Sequence, residues 1–272
     1  MAVSSLQKMR DIIQEKERFV YKRIIFFLFC SIFLITGFSH VKNPNGSNLQ
    51  ENCVFAGEIF ESNKKFYSQH YEELIIRDFF NDRKGGIFVD VGCSHYKDLS
   101  TTYYLEEHLG WSGIAIDALA EYAIGYIDHR PNTRFFNFIV TSYSGGIESF
   151  YRSINAKIFS STSENMAKGR SKYFGRPTEC QVVYVPTITL TDLLEKNGIS
   201  KIDLLSMDIQ GGEVKALSGF NIEQFKPKLV CIEVENSDPY EILNYFAAHG
   251  YERIDKYSKY DSTNWYFKPK DP

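Results

Sequence analysis

The sequence predicts an open α/β fold: a mostly parallel seven-stranded sheet that ends in an antiparallel hairpin, with an apolar segment ahead of it. Three observations predict it. From Ile87 to His249, short runs of β-branched and aromatic residues alternate with helical segments, and such alternation implies right-handed crossovers and a parallel sheet. The last two strand-like runs follow one another with no helix between them. Residues 24–38 are apolar throughout and sit behind a basic tail.

The 272 residues, with a net charge of −3, have room for one sizeable domain plus an appendage, and can bury a core without metals or disulfides. Basic and acidic residues are mixed, so no cationic field points to nucleic acid. Aromatic residues make up 15% of the chain, which suits a core packed with rings on strands. The five cysteines (Cys30, Cys53, Cys93, Cys180 and Cys231) include no Cys-x-x-Cys pair and no histidine at ligand spacing, so no metal site is expected. Cys53 and Cys180 are the two left free to pair, and nothing in the sequence shows that they do.

Residues 1–23 form a tail carrying Lys8, Arg10, Lys16, Arg18, Lys22 and Arg23. The run behind it covers roughly 22 Å at about 1.5 Å per residue, short of a ~30 Å hydrocarbon layer, so spanning needs its flanks or local thinning. We read residues 24–40 as a single-pass transmembrane anchor, with the basic tail in the cytoplasm. Residues 41–55 are a turn-rich linker that includes the sequon Asn45-Gly46-Ser47. Residues 56–272 are the catalytic-size domain.

In that domain, Phe66 to Phe80 reads as an amphipathic helix. Ile87 to Val91 is a buried strand stopping at Gly92, followed by a helix from Tyr103 that Gly110 closes. Ile114 to Ile116 is the second strand, with Asp117 at its carboxyl end, where open α/β sheets place ligand-binding groups. Glu121 to His129 is helical and Thr133 to Val140 is the third strand. Ile147 to Arg152 and Gln181 to Pro186 read as strands around a loop, Ser160 to Pro177, able to cover a cleft. Thr189 to Gly198 is a helix with a Thr start and an Asn-Gly stop. Lys201 to Asp208 and Lys228 to Glu235 are the fourth and fifth strands, and Pro239 to His249 is the last helix. Tyr251 to Tyr257 and Ser262 to Phe267 form the hairpin, the ending expected of a class I methyltransferase with its Rossmann-like sheet.

The turn after the first strand narrows the ligand. A dinucleotide needs Gly-x-Gly-x-x-Gly so that pyrophosphate can approach bare backbone. Here Gly92 is followed by Cys93, Ser94 and His95, with no further glycine before Gly110. The loop therefore favours S-adenosylmethionine, which has no phosphate, over NAD, and Asp117 can accept both hydroxyls of a ribose.

Val89-Asp90-Val91-Gly92, Tyr103-Tyr104-Leu105-Glu106 and Leu109 to Ile114, together with Thr187 to Leu194 and Ile202 to Glu213, resemble the FkbM methyltransferase family in words, order and spacing. The resemblance runs from about Gly85 to Glu235. It implies an S-adenosylmethionine-dependent enzyme, largely O-methylating, acting on sugars or hydroxylated natural products. Carried onto this chain, it implies Asp90, Gly92 and Cys93 at the methionine side of the cofactor and Asp117 at the ribose. Asn137 and Ile139 would lie near the adenine, Asp208 at the methyl-transfer end of the fourth strand, and Glu213 beside it. Two departures stand out: Cys93-Ser94-His95-Tyr96 replaces a turn like Val-Gly-Ala-Asn-Asp-Gly, and Asp117 stands where the family often has Glu. The candidates for taking a proton from a hydroxyl acceptor are Asp208, Glu213, His95 and then Glu233, and Asp208 is equally a candidate for holding the cofactor beside its sulfonium. The rival reading is a protein that keeps the fold as a binding or scaffold module at a membrane, for which the altered turn is the support.

Overall fold

The computed structural model describes residues 67–271 apart from 155–156, 174 and 176–178. The basic tail, the anchor at 24–40, the linker with its sequon, Cys30 and Cys53 lie outside the described residues. Among the described residues, no helix is long and apolar enough to cross a membrane.

The chain begins its described course with α1 (Glu72–Phe80), shorter than the expected helix from Phe66, and enters β1 (Ile87–Val91). Then come α2 (Tyr103–Leu109), β2 (Ser112–Asp117), α3 (Ala123–His129) and β3 (Thr133–Asn137). An inserted unit follows: β4 (Ile139–Val140), β5 (Ile147–Ser153), α4 (Glu164–Tyr173) and β6 (Cys180–Ile188). The second half continues with α5 (Leu190–Lys196), β7 (Leu204–Met207), α6 (Glu213–Ser218), α7 (Ile222–Phe225) and β8 (Leu229–Glu233). It ends with α8 (Pro239–Ala248), β9 (Tyr251–Arg253) and β10 (Asn264–Pro269).

Seven strands form one sheet in the order β3-β2-β1-β7-β8-β10-β9. All neighbours from β3 to β8 are parallel, and β10 runs antiparallel to both β8 and β9. The expected hairpin is therefore present, with its second strand inserted beside β8. Strand order reverses between β1 and β7. The register brings the ends of four strands level there: Val91 lies opposite Ile116 and Met207, and Met207 opposite Ile232.

Alternation along the strands sorts the core into two faces. Val89, Val91, Leu205, Met207, Val230 and Ile232 pack with α5 to α8. Phe88, Leu204 and Cys231 face the other way, onto Ile75 and Ile76 of α1 and Leu105 and Leu109 of α2. Both faces are covered by helices, which is why these strands read as continuous apolar runs rather than alternating ones.

Several further elements differ from expectation. The third strand leaves the sheet early: Asn137 Nδ2 and the Phe138 amide both donate to the Asp117 carbonyl, at 2.9 and 3.2 Å, and Ile139-Val140 turn aside to pair with β6. The loop expected over Ser160 to Pro177 contains α4, at whose start the Ser163 hydroxyl accepts from the Met166 amide at 3.4 Å. α6 and α7, six and four residues long, fill the crossover between β7 and β8. The strand expected through Tyr257 stops at Arg253 and gives way to a 3-10 turn at Asp255–Tyr257.

Candidate active site

A cleft opens over the carboxyl ends of β1, β2, β7 and β8, at the strand-order reversal where open α/β sheets bind ligands. Its floor is the turn after β1. Gly92 has φ +85°, and a Cβ there would stand 1.8 Å from the Asp208 carbonyl oxygen. Only glycine fits. The Gly92 and Cys93 amides both donate to the Ile116 carbonyl at 2.8 and 3.2 Å, and Tyr126 Oη donates to the Cys93 carbonyl at 3.2 Å. The turn is thus tied to β2 and α3 as it crosses the sheet.

Two carboxylates flank this turn, Asp90 buried and Asp117 half-buried. Asp117 accepts from the Ser94 amide on Oδ2 at 2.9 Å and from the Leu119 amide on Oδ1 at 2.8 Å. Burial nonetheless pushes it up to about 6. Asp90 accepts from Thr102 Oγ1 at 2.8 Å, and burial pushes it to about 6 as well, with Thr102, Arg130 and Ser206 opposing the rise. Beneath it, Arg130 pairs with Glu106 through Nε and donates to the Thr102 carbonyl and hydroxyl at 3.3 Å. This buried ion pair joins the start of α2 to the end of α3.

On the far side of Gly92, Asp208 follows β7, and its amide donates to the Val91 carbonyl at 2.9 Å. Gln210 Nε2 donates to Asp208 Oδ1 at 2.8 Å and stands 3.3 Å from both oxygens of Glu233, which is 2% exposed. The two halves of the cleft differ in character. Toward β2 and β4 the lining is apolar, with Ile116, Leu119, Phe138 and Ile139; toward β8 and β10 it is polar, with Gln69, Glu72, Thr101, Gln210 and Asn264. Residues 157–160 and 162, from the inserted unit, roof it.

Of the residues singled out from sequence, Asp90, Gly92, Cys93, Asp117, Ile139 and Asp208 all line this one cleft. Asn137, His95 and Glu213 are not among its lining. Asn137 spends its side-chain amide on the Asp117 carbonyl. The His95 ring turns back on its own loop, where Nδ1 lies 3.0 Å from the Asp98 amide. Glu213 is fully buried and accepts from the Ile209 and Gly211 amides at 2.8 and 3.0 Å and from Ser237, so it staples the loop after β7. The helix-start carboxylate is used for backbone donors.

Asp208, Glu213 and Glu233 offer oxygens that all lie within 4.8 Å of one another. Amide donors from the backbone, Gln210 and Asn236 occupy this group, and we assign no metal to it. Sequence reasoning passed over Gln210, Glu72 and Asn264. The Gln210 signal was its place two residues beyond Asp208; Glu72 and Asn264 reach the cleft only through the packing of α1 against β10, where Asn264 Nδ2 donates to Glu72 at 3.1 Å.

A family model described as the methyltransferase FkbM domain matches residues 85–253. No curated protein matches the chain. Among solved structures, it is similar to a TehB-like SAM-dependent methyltransferase from Corynebacterium glutamicum, at 12% identity over 78% of this chain and 93% of that one, TM-score 0.42. It is also similar to the 1,6-didemethyltoxoflavin-N1-methyltransferase of Burkholderia thailandensis, solved with 1,6-didemethyltoxoflavin and S-adenosylhomocysteine (12% identity, 85% and 94% covered, TM-score 0.38). A third is a SAM-dependent methyltransferase from Geobacter sulfurreducens in complex with S-adenosylhomocysteine (11% identity, 76% and 77% covered, TM-score 0.36).

Proposed function

The chain belongs to the FkbM methyltransferase family, with S-adenosylmethionine as its cofactor, and from that premise we propose that it methylates a hydroxyl group of a sugar, glycan or related small molecule. The residues present suit the cofactor. The turn at Gly92, packed so closely on the Asp208 backbone that no Cβ fits, lies between two carboxylates and beside an apolar slot. Asp117 would hold the ribose hydroxyls, Asp90 the amino-acid end, and Phe138 and Ile139 the adenine. S-adenosylmethionine supplies an electrophilic methyl on a sulfonium, and the reaction it serves leaves S-adenosylhomocysteine and one proton.

The observation that carries the acceptor assignment is the polar half of the cleft. Gln69, Glu72, Thr101 and Asn264 offer hydrogen-bonding groups of the kind that hold a polyhydroxylated molecule in one orientation, and orientation supplies most of the rate in a displacement. Asp208 is the carboxylate at the meeting of the two halves. It takes the proton from the hydroxyl as the new bond forms, a contribution of roughly 10²–10⁴-fold. The scaffold reading rests on the altered turn, yet that turn still places the Ser94 amide on Asp117.

We extend the proposal to attachment at a membrane through residues 24–40, supported by the apolar run and its basic flank. The acceptor assignment is tested by a screen of mono- and oligosaccharides with methyl-labelled cofactor. An alkali-stable methyl ether on a sugar is the expected product, reduced at least a hundredfold by Asp208→Asn with S-adenosylhomocysteine affinity kept within threefold. Methyl label found only on nitrogen or carboxyl oxygen would overturn it.

A further inference from the structure

Gln210 occupies a backbone position that few side chains adopt. It has φ +55° in the left-handed region, a conformation a non-glycine residue keeps only when its surroundings impose it. They do so here from three sides. The amides before and after it in the loop, at Ile209 and Gly211, are both held by the Glu213 carboxylate. Its own carbonyl accepts from Ser161 Oγ at 3.0 Å, a contact from the roof. Ser161 is 1% exposed, so that contact is shielded from water.

A fixed backbone aims the side chain. Nε2 meets Asp208 Oδ1 at 2.8 Å and the two Glu233 oxygens at 3.3 Å, while Oε1 faces Asn236 Nδ2 at 3.5 Å. Ionised carboxylates only accept hydrogen bonds, so the donor end of the amide has to point at them. One neutral NH₂ group thus lies between two acidic side chains that face each other at the end of β7 and β8. A glutamate here would add a fourth acidic side chain to Asp208, Glu213 and Glu233, and an apolar residue would remove the bridge between Asp208 and Glu233.

We propose that Gln210 is a positioning residue for methyl transfer: its amide divides its two N–H groups between Asp208 and Glu233 and so holds Asp208 in the orientation and ionised form in which it accepts the acceptor's proton. The inference rests on the reading of Asp208 as the proton acceptor. Among the described residues, Asp90 on β1, Glu213 on α6 and Cys231 on β8 interact electrostatically with Asp208, and Glu72 on α1 and Lys215 on α6 line the same cleft.

The test uses the full chain with ¹³Cγ-labelled aspartate, saturated with S-adenosylhomocysteine, and follows the Asp208 resonance, assigned by its loss in Asp208→Asn, from pH 4 to 9. Gln210→Met keeps the volume and removes the donor; Gln210→Glu replaces the donor with a charge. Losing a hydrogen bond to the ionised form, or gaining a like charge, raises a carboxyl pKa. The Asp208 midpoint is expected to rise about tenfold in proton affinity in Gln210→Met and further in Gln210→Glu, with S-adenosylhomocysteine affinity unchanged within threefold. A midpoint in Gln210→Met within 0.3 pH units of wild type, in a protein with the wild-type circular dichroism spectrum, overturns the inference. If Asp208→Asn leaves sugar methylation intact, the reading of Asp208 fails, and the titration still reports on the bridge independently. Should Gln210→Met not fold, Gln210→Asn, which is too short to bridge, carries the same expectation.

Discussion

Asp117 accepts one backbone N–H on each carboxylate oxygen, and still burial pushes it up to about 6, as it does Asp90. The sign follows from proton counting. Between about pH 4 and 6 the folded chain keeps protons that the unfolded chain has released, so these groups lower stability as pH rises through that window and add no slope above it. Ligand binding runs the other way, because ribose hydroxyls and an ammonium need ionised carboxylates. Affinity for S-adenosylhomocysteine, measured by calorimetry, is expected to tighten about tenfold from pH 5 to 7 if one of the two groups controls it, and about a hundredfold if both do. A flat profile would remove both from the cofactor site. Gly92 gives a second prediction at this scale. Gly92→Ala must relieve an overlap with the Asp208 carbonyl and a φ of +85°, so urea unfolding should show a loss of about 1–3 kcal/mol or more. Stability equal to wild type would mean that the turn does not cross β7 as closely as described.

At the scale of elements, α2 and α3 are fixed beneath the site by the buried pair of Glu106 and Arg130, whose side chains are 4% and 1% exposed. Removing one partner strands a charge, at a cost of about 3–5 kcal/mol. Glu106→Gln should therefore lose that much in urea unfolding, and a loss under 1 kcal/mol would show the pair to be dispensable. The roof is held less firmly: Lys157 and Arg152 pair with a partly exposed Glu121, and such pairs contribute roughly 0.2–1 kcal/mol each. Hydrogen exchange over residues 157–162 is expected to slow at least tenfold on binding S-adenosylhomocysteine, and unchanged exchange would separate the roof from the cofactor. The same contrast explains what was legible in the sequence. β1, β2, β7 and β8 announce themselves because strands buried on both faces carry unbroken apolar runs. α4 does not, because Lys168, Arg170, Ser171 and Lys172 leave its sequence no apolar period, and α6 and α7 are too short to show one. Thr133 to Val140 read as a single strand since its composition is continuous; the break at Phe138 comes from hydrogen bonds to the Asp117 carbonyl of the neighbouring strand.

Across the molecule, the sheet order β3-β2-β1-β7-β8-β10-β9 gathers residues distant in sequence onto one edge. Asp90, Gly92, Asp117, Ile139 and Asp208 could be nominated individually because each ends or follows a strand, and the parallel register puts strand ends together. Asn137, His95 and Glu213 share that position in sequence, but their side chains are spent on backbone groups. Direction of a side chain at a turn is a property of packing, which periodicity does not report. Gln210 shows the converse, since its bridge to Glu233 depends on β7 and β8 being neighbours. The central claim is that this edge is a cofactor site built around Asp117, and calorimetric titration of the full chain with S-adenosylhomocysteine, beside Asp117→Ala, tests it most directly. Micromolar binding by the wild type, weakened at least thirtyfold by the substitution as two charge-assisted hydrogen bonds are lost, is the predicted result. No binding by the folded chain, or equal binding by the variant, would contradict it.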